Sequence, residues 1–143
     1  MIQADLFKIK EENTLKNYAT FKIKTMYGEE TCRFIRSRYC ESYISGGGIY
    51  LGLESYDEEY RFWERYCDVS TNITTENCTA RPSENSIFIR NDSDWYPGVA
   101  KVFKETGLAK STGNKGYSGF CEYDEWLVDS DKLQILARSL EVR

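Results

Sequence analysis

Arginine, tyrosine and tryptophan side chains crowd into the middle of the chain, between residues 33 and 66. These residue types dominate the hot spots of protein interfaces, and they also stack on bases and grip phosphates. An acidic run at 57–59 lies among them and would suit docking onto a basic surface. The alternative is that these side chains simply cover the exposed face of a sheet. The predicted partner-binding residues are Arg33, Arg36, Arg38, Tyr39, Arg61, Trp63, Arg65, Asp57, Glu58 and Glu59.

A second candidate is the glycine-rich stretch 110–119, in which glycines recur every third residue. A loop of this kind presents backbone N–H groups to a phosphate, and two lysines accompany it here. It lacks the G-x-x-x-x-G-K-[ST] order of a Walker A motif, and it follows a predicted helix, whereas a phosphate loop precedes one. The alternative is a tight structural connection whose glycines serve turns. The predicted ligand-binding residues are Lys110, Thr112, Gly113, Lys115, Gly116 and Ser118.

Residues suited to catalysis or metal binding are scarce. The chain contains no histidine, which removes the usual general base, the usual partner of a nucleophile and the commonest metal ligand. The five cysteines are scattered without a C-x-x-C pair, and Cys67 beside Arg65 is only a weak nucleophile candidate. The acidic groups at 57–59, 124–125 and 129–131 are typical of solvated turns. We therefore predict a protein that is not an enzyme and uses no cofactor or metal.

Charge and hydropathy bear on partners and compartment. The formal net charge is −4 and the sequence pI is about 5.0, which argues against direct binding to nucleic acid through bulk charge. Charged residues interrupt the first apolar ones, so no secretory signal is visible, and no apolar run is long enough to span a membrane. An odd cysteine count fits free thiols in a reducing compartment. These features predict a cytoplasmic protein that does not engage a membrane.

Alternation of apolar and polar residues with a period of two predicts strands through the first half of the chain. The cleanest example is 17–27, where Ala19, Phe21 and Ile23 face one way and the intervening residues face the other. The other elements predicted in this half are a strand and turn within 1–16, turns at 28–30 and 57–59, strands at 31–39, 49–53 and 60–70, and a long polar loop at 71–86.

Helix signals appear in the second half. Residues 91–94 offer several N-caps, Pro97 suits a first helical turn, and Gly107 suits a left-handed C-cap. Strands followed by helices indicate an α+β fold. We predict a single domain of 143 residues, in which an antiparallel sheet of about five to six strands carries two helices packed on one face. The remaining predicted elements are a strand at 86–90, an extended segment at 117–128 and a last helix at 130–140.

The segment 86–133 carries a distinctive order of motifs. Its characteristic residues are Asn91, Gly107, Leu108, Thr112, Gly113, Gly116, Ser118, Gly119, Phe120, Cys121 and Tyr123. This order resembles a small family of unknown function carried by phages and conjugative elements of gut bacteria. Members of that family show a strand ending in Asn, a helix ending in NGLG, and then TG-x-x-GRSGFCTYP-x-Y-x-F. This chain departs from the pattern at Tyr117, where the family often has Arg, and at Asp124, where it usually has Pro.

The resemblance implies an accessory protein of a mobile element, a class that often inhibits host defence. Together with the Arg/Tyr segment, it predicts an anti-CRISPR-like protein that acts in the cytoplasm of the bacterial host. Such a protein would bind a host defence protein, such as a CRISPR effector nuclease, and block it sterically. The alternative is a small-ligand or nucleotide-binding protein that sequesters its ligand with the glycine-rich stretch and the aromatic face.

Overall fold

The computed structural model describes residues 10, 13, 15–39 and 48–140. Within these residues, nine strands and two α-helices have defined bounds, together with one short 3-10 turn. In chain order they are β1 (Phe21–Thr25), β2 (Gly28–Arg38), β3 (Ile49–Asp57), β4 (Phe62–Asp68), β5 (Ser70–Thr71), the 3-10 turn (Thr75–Asn77), β6 (Ser86–Arg90), α1 (Tyr96–Thr106), β7 (Ala109–Ser118), β8 (Cys121–Val128), α2 (Ser130–Leu136) and β9 (Ala137–Ser139).

The strand predicted within 1–16 is wrong wherever that segment is described, because Lys10, Asn13, Leu15 and Lys16 are helical. Residues 1–9, 11, 12 and 14 lie outside the described residues, as do the two glycines at 46 and 47.

The first sheet contains β1, β2, β3, β4 and β9. The first four strands follow one another as antiparallel hairpins. A period-two pattern explains why these segments form strands with one buried face: in β1, Phe21 and Ile23 are buried while Lys22 and Lys24 are exposed. Strand β3 occupies one edge of β2, and the other edge is shared between β1 and β9. The pairing of β9 with β2 is parallel, in contrast to the hairpins.

The second sheet has the order β5-β6-β8-β7, and its pairs are antiparallel. Strand β7 runs through the glycine-rich stretch that the sequence predicted to be a loop. The ladder with β8 accommodates the glycines through an irregularity between Ser111 and Lys115, where Gly113 adopts φ +82°. The loop prediction is therefore wrong: the stretch is a bulged strand closed onto β8 by a turn at Gly119 and Phe120.

Helix α1 follows the predicted signals closely. Pro97 lies in its first turn, and Gly107 ends it in the left-handed conformation at φ +71°. The N-cap is Trp95, which makes no side-chain cap hydrogen bond, so the capping predicted at 91–94 is wrong. Helix α2 ends four residues earlier than predicted, because the chain from Ala137 onward pairs with the open edge of β2.

One hydrophobic core unites both sheets and both helices. The ring of Phe103 in α1 lies 5.8 Å from that of Phe34 in the first sheet and 5.1 Å from that of Trp126 in the second. The α+β class is confirmed. The prediction of one sheet is wrong, because the chain leaves the first sheet after β4 and starts a second at Ser70. Helix α1 contacts both sheets, so the packing of two helices on one face of a single sheet is not confirmed.

A smaller core lies on the opposite face of the second sheet, around Ile73, Phe88 and Tyr123. The segment between β5 and β6 covers it, and the backbone N–H of Thr79 donates to the Lys115 carbonyl of β7 at 2.9 Å. The predicted loop is thus irregular apart from its 3-10 turn and a single bridge at Cys78. No helix in the described ranges has the length and apolar character needed to cross a membrane.

Candidate functional site

The predicted partner-binding arginines of β2 do not share one face of the sheet. Side chains alternate along a strand, so Arg33 lies on the face turned away from the main core, while Arg36 and Arg38 lie on the other. The Arg36 Nε donates to the Ala137 carbonyl of β9 at 3.2 Å. The structure therefore separates Arg33 from the other two, which instead line a cleft at the end of the strand.

Arg33 belongs to a braced cluster on the outward face. Its Nε donates to Glu54 Oε1 at 2.8 Å, and its guanidinium lies 4.2 Å from the centre of the Trp63 ring. Trp63 in turn meets Tyr56 edge-on at 5.2 Å. Both members of the ion pair are largely buried, with 19% and 17% of their side chains exposed. The Arg33 charge is thus neutralised by Glu54 and its cation–π surface is occupied by Trp63.

A second cluster lies further along the same face. Arg65 donates to Asp68 at 3.0 Å and to the Tyr50 hydroxyl, and Tyr50 donates to the same carboxylate oxygen at 2.5 Å. Burial and the adjacent Asp68 raise the pKa of Tyr50, so the phenol keeps its proton. Tyr39 packs edge-on against Tyr50 at 5.8 Å and shares a hydrogen bond with Ser70. These side chains chiefly satisfy one another.

Exposed apolar side chains lie instead at the ends of the hairpins. Met26 and Tyr27 form the β1–β2 turn, with 73% and 82% of their surface exposed, and Tyr60 at the β3–β4 turn is 72% exposed. The register of β2 with β3 places these two turns at the same end of the first sheet. We call this the hairpin-end surface, and it comprises Met26, Tyr27, Tyr60, Phe62 and, at the β7–β8 turn, Phe120.

Contacts connect the start of β8 with the β1–β2 turn through the loop before α1. The Met26 N–H donates to Asp94 at 2.8 Å, in the loop before α1. Asn91 of the same loop donates to Glu122 at 3.4 Å, one residue past the start of β8. Phe120, which is fully exposed, therefore projects from a turn that shares this loop with Met26. None of these apolar residues is among the predicted partner-binding or ligand-binding residues, although Tyr27 and Phe120 each adjoin a glycine of a tight turn, which is a sign of exposure.

The predicted acidic run is part of this end of the molecule. Asp57 accepts hydrogen bonds from the backbone N–H groups of Glu59 and Tyr60 at 2.9 and 3.0 Å, which shapes the turn. Glu58 and Glu59 are exposed. Arg61 completes the turn with φ +57° and is also exposed. Two exposed carboxylates thus precede Tyr60 directly, and the exposed Arg61 follows it.

The predicted ligand-binding residues of β7 do not converge on one point. Lys115 pairs with Asp124, whereas the Thr112 hydroxyl donates to Glu125 at 2.5 Å; consecutive residues of β8 point to opposite faces. Gly116 is buried, and Lys110, Gly113 and Ser118 are exposed along the strand. Because Lys115 and Thr112 each face a carboxylate and lie on opposite faces, these residues do not form a common cradle for an anion.

Asp124 is the centre of a polar network beside α1. Tyr96 donates to it at 2.8 Å and Asn91 at 3.2 Å, and Lys115 makes an ion pair with it. Burial by itself would raise the pKa of Asp124, but these three donors, Lys115 foremost, outweigh it and lower that pKa. The ionised form therefore stabilises the fold.

Replacing Asp124 with asparagine should lower the free energy of unfolding by about 1.5–3 kcal/mol at neutral pH, towards the lower end because Lys115 is partly exposed. Because the pKa of Asp124 is lower in the folded protein than in the unfolded chain, its carboxylate stabilises the fold fully above about pH 4. This stabilisation is lost as the pH falls through the pKa of the folded state. Urea unfolding at pH 7 and pH 3 should show the wild type and D124N converging at pH 3. An equal difference at both pH values would contradict this, and E58Q, in an exposed turn, is the control.

Two of the described cysteine thiols are poorly suited to act as nucleophiles. Burial raises the pKa of Cys67 to about 12 and that of Cys32 to about 12, so both thiols stay protonated. Cys67 packs against the core, whereas Arg65 lies on the outward face and cannot activate it. Within the described ranges, no three cysteine or carboxylate side chains gather to hold a metal ion.

The residues that carry the family resemblance serve mostly to build the second sheet. Tyr123 belongs to the small core and Gly116 lies against it. Thr112 donates a hydrogen bond to Glu125, and Asn91 donates one to Asp124. In comparisons with known proteins, the chain matches no protein-family model, no curated protein and no solved structure.

Proposed function

We propose that this protein works without turnover: it binds a host defence protein in the bacterial cytoplasm, such as a CRISPR effector nuclease, and blocks it sterically. The observation that carries the proposal is the hairpin-end surface, where large apolar side chains project into solvent beside exposed carboxylates. Aromatic side chains at a rigid turn lose little conformational freedom on binding, which suits them to act as anchors.

Charge indicates the kind of surface that would receive these anchors. Glu58 and Glu59 precede Tyr60, which Arg61 follows; Asp94 accepts from the Met26 N–H, and Glu122 lies two residues after Phe120. Carboxylates around an apolar patch favour a partner whose own patch is rimmed by lysine and arginine. Nucleases that hold nucleic acid in a positively charged channel offer such a rim.

In this proposal the outward face of the first sheet holds the turns in place, and the apolar side chains that contact the partner lie on the turns themselves. Arg33 and Arg65 each have a carboxylate and an aromatic partner within the sheet, so neither needs a partner protein to neutralise its charge. Their network holds β3 and β4 together next to the turn that carries Tyr60. We therefore expect the exposed side chains of the turns to provide the binding affinity, and the outward face of the first sheet to keep these turns rigid.

The test is inhibition of a purified CRISPR effector nuclease that the wild-type protein blocks, chosen by screening effectors in a plasmid-interference assay. The quadruple variant Y27S/Y60S/F62S/F120S should weaken inhibition at least about a hundred-fold, because each anchor of this kind contributes about 2 kcal/mol or more. The matched control is L127S/I135S, which removes two exposed apolar side chains elsewhere on the surface.

Inhibition should reach completion at one copy of the protein per effector, since a steric block cannot turn over. Two results would contradict the proposal: complete inhibition at far lower ratios, which indicates an enzyme, or equal inhibition by the quadruple variant and the wild type. Failure to inhibit any effector in the screen would count against the defence-related function itself.

A further inference from the structure

A cleft of about 330 Å³ lies at the end of the first sheet opposite the hairpin-end surface. Strands β2 and β3 form one wall, and α2 and the end of β9 form the other. Its volume falls within the range of sites that hold small molecules. Ile49 and Leu133, both buried core residues, form its apolar floor. The described lining of the cleft shares no residue with the hairpin-end surface.

The polar residues among the described lining of this cleft are cationic or neutral. Two of these described residues are arginines and none is an aspartate or glutamate, although the chain as a whole carries a net charge of −4. The neutral side chains are amides and hydroxyls, which donate hydrogen bonds to anionic oxygens. The polar lining consists chiefly of Arg36, Arg38, Asn85, Ser130, Gln134 and Ser139.

Backbone pairing fixes one of the two guanidinium groups in place. Arg36 stands opposite Ser139 in the parallel pair of β2 and β9, and its carbonyl accepts a hydrogen bond from the Leu140 N–H at 2.8 Å. Its Nε donates to the Ala137 carbonyl at 3.2 Å, which sets the plane of the guanidinium. A side chain held in this way loses little entropy when it binds a ligand.

We infer that this cleft binds the phosphate group of a small molecule, with Arg36 and Arg38 as its principal ligands. Planar guanidinium groups match the oxygen geometry of a phosphate and form paired, charge-assisted hydrogen bonds with it. The apolar floor would accept a small organic group attached to that phosphate. The site is distinct from the glycine-rich stretch of β7, where each lysine or hydroxyl that turns inward meets a carboxylate.

The test is calorimetric titration of the full chain with inorganic phosphate and with AMP, at constant ionic strength. Saturable binding of either anion in the millimolar range or tighter is expected. Tighter binding of AMP than of phosphate would identify a phosphate monoester as the ligand class, and the reverse order would identify free phosphate. Absence of saturable binding for both, or binding of uncharged adenosine as tight as that of AMP, would overturn the inference.

Variants locate the binding within the fold. R38Q should weaken binding of the better anion at least ten-fold, and R36Q by a similar factor. The matched control is R138Q, an exposed arginine of β9 that stands opposite Ile35 and outside the cleft. If R36Q perturbs the β2–β9 pairing, R38Q remains informative because Arg38 is exposed at the strand end. Equal weakening by R138Q and R38Q would show general charge attraction and would overturn the inference.

Discussion

Replacing Phe103 with alanine will lower the free energy of unfolding by about 3–5 kcal/mol. The side chain is fully buried in α1, and its ring lies between Phe34 of the first sheet and Trp126 of the second. Removing the ring loses the free energy gained by transferring it from water into the core. It also leaves a cavity that the two sheets and the helix cannot fill by moving closer. For a domain whose total stability is about 5–15 kcal/mol, that is a large fraction.

The measurement is equilibrium unfolding in urea, followed by tryptophan fluorescence. The control is F120A, which makes the same truncation at a fully exposed turn and should change the free energy of unfolding by less than about 0.5 kcal/mol. F103L keeps part of the volume and should fall between the two. Equal destabilisation by F103A and F120A would show that the contact between the sheets does not depend on this ring.

Replacing Gly116 with valine should cost about 1–3 kcal/mol, in the upper part of that range. A Cβ at this position would lie 2.8 Å from Phe88 Cδ1 and 3.1 Å from Ile73 Cγ2. Both neighbours are buried in the small core, so neither can move aside without disturbing the segment that covers it. Valine is otherwise well suited to a strand, so β-propensity alone would predict that this substitution raises the free energy of unfolding.

A double-mutant cycle separates overpacking from other effects. Shortening Phe88 to alanine removes the ring atoms that the new methyl groups would strike, and G116V should then cost much less in the F88A background than in the wild type. Additive changes in the two backgrounds would contradict the close approach of β7 to Phe88. F88A alone should be destabilising, because the ring is buried.

Local signals in the sequence predicted the elements that form without distant help. The alternation at 21–25 and the combination of Pro97, Val99 and Gly107 describe contacts within a few residues, and the structure has β1 and α1 there. The separation of Arg33 from Arg36 was also available from the sequence. A period of two sends odd and even positions to opposite faces, and the interpretation of one arginine surface overlooked it.

The candidate sites were harder to predict, because exposure and convergence depend on distant parts of the chain. Lys115 looks like a phosphate ligand until β8 places Asp124 against it. Arg36 looks like an interface residue until β9 places the Ala137 carbonyl at its Nε. Tyr27 looks like one apolar residue among many until the folded chain leaves 82% of its surface exposed.

By itself, the sequence determined the α+β class, the hairpins of the first half and a helix that has Pro97 in its first turn and ends at Gly107. Periodicity, proline and glycine predict these elements because they act through bonds and neighbours close in the chain. It also determined that histidine chemistry is unavailable to this protein. Only the tertiary structure decided that the strands divide into two sheets. It also decided that residues 137–139 form a strand paired with β2, where the sequence had predicted the continuation of a helix. The physical reason is that an open strand edge and a shared core offer hydrogen bonds and burial that outweigh the weak local preference of a few residues.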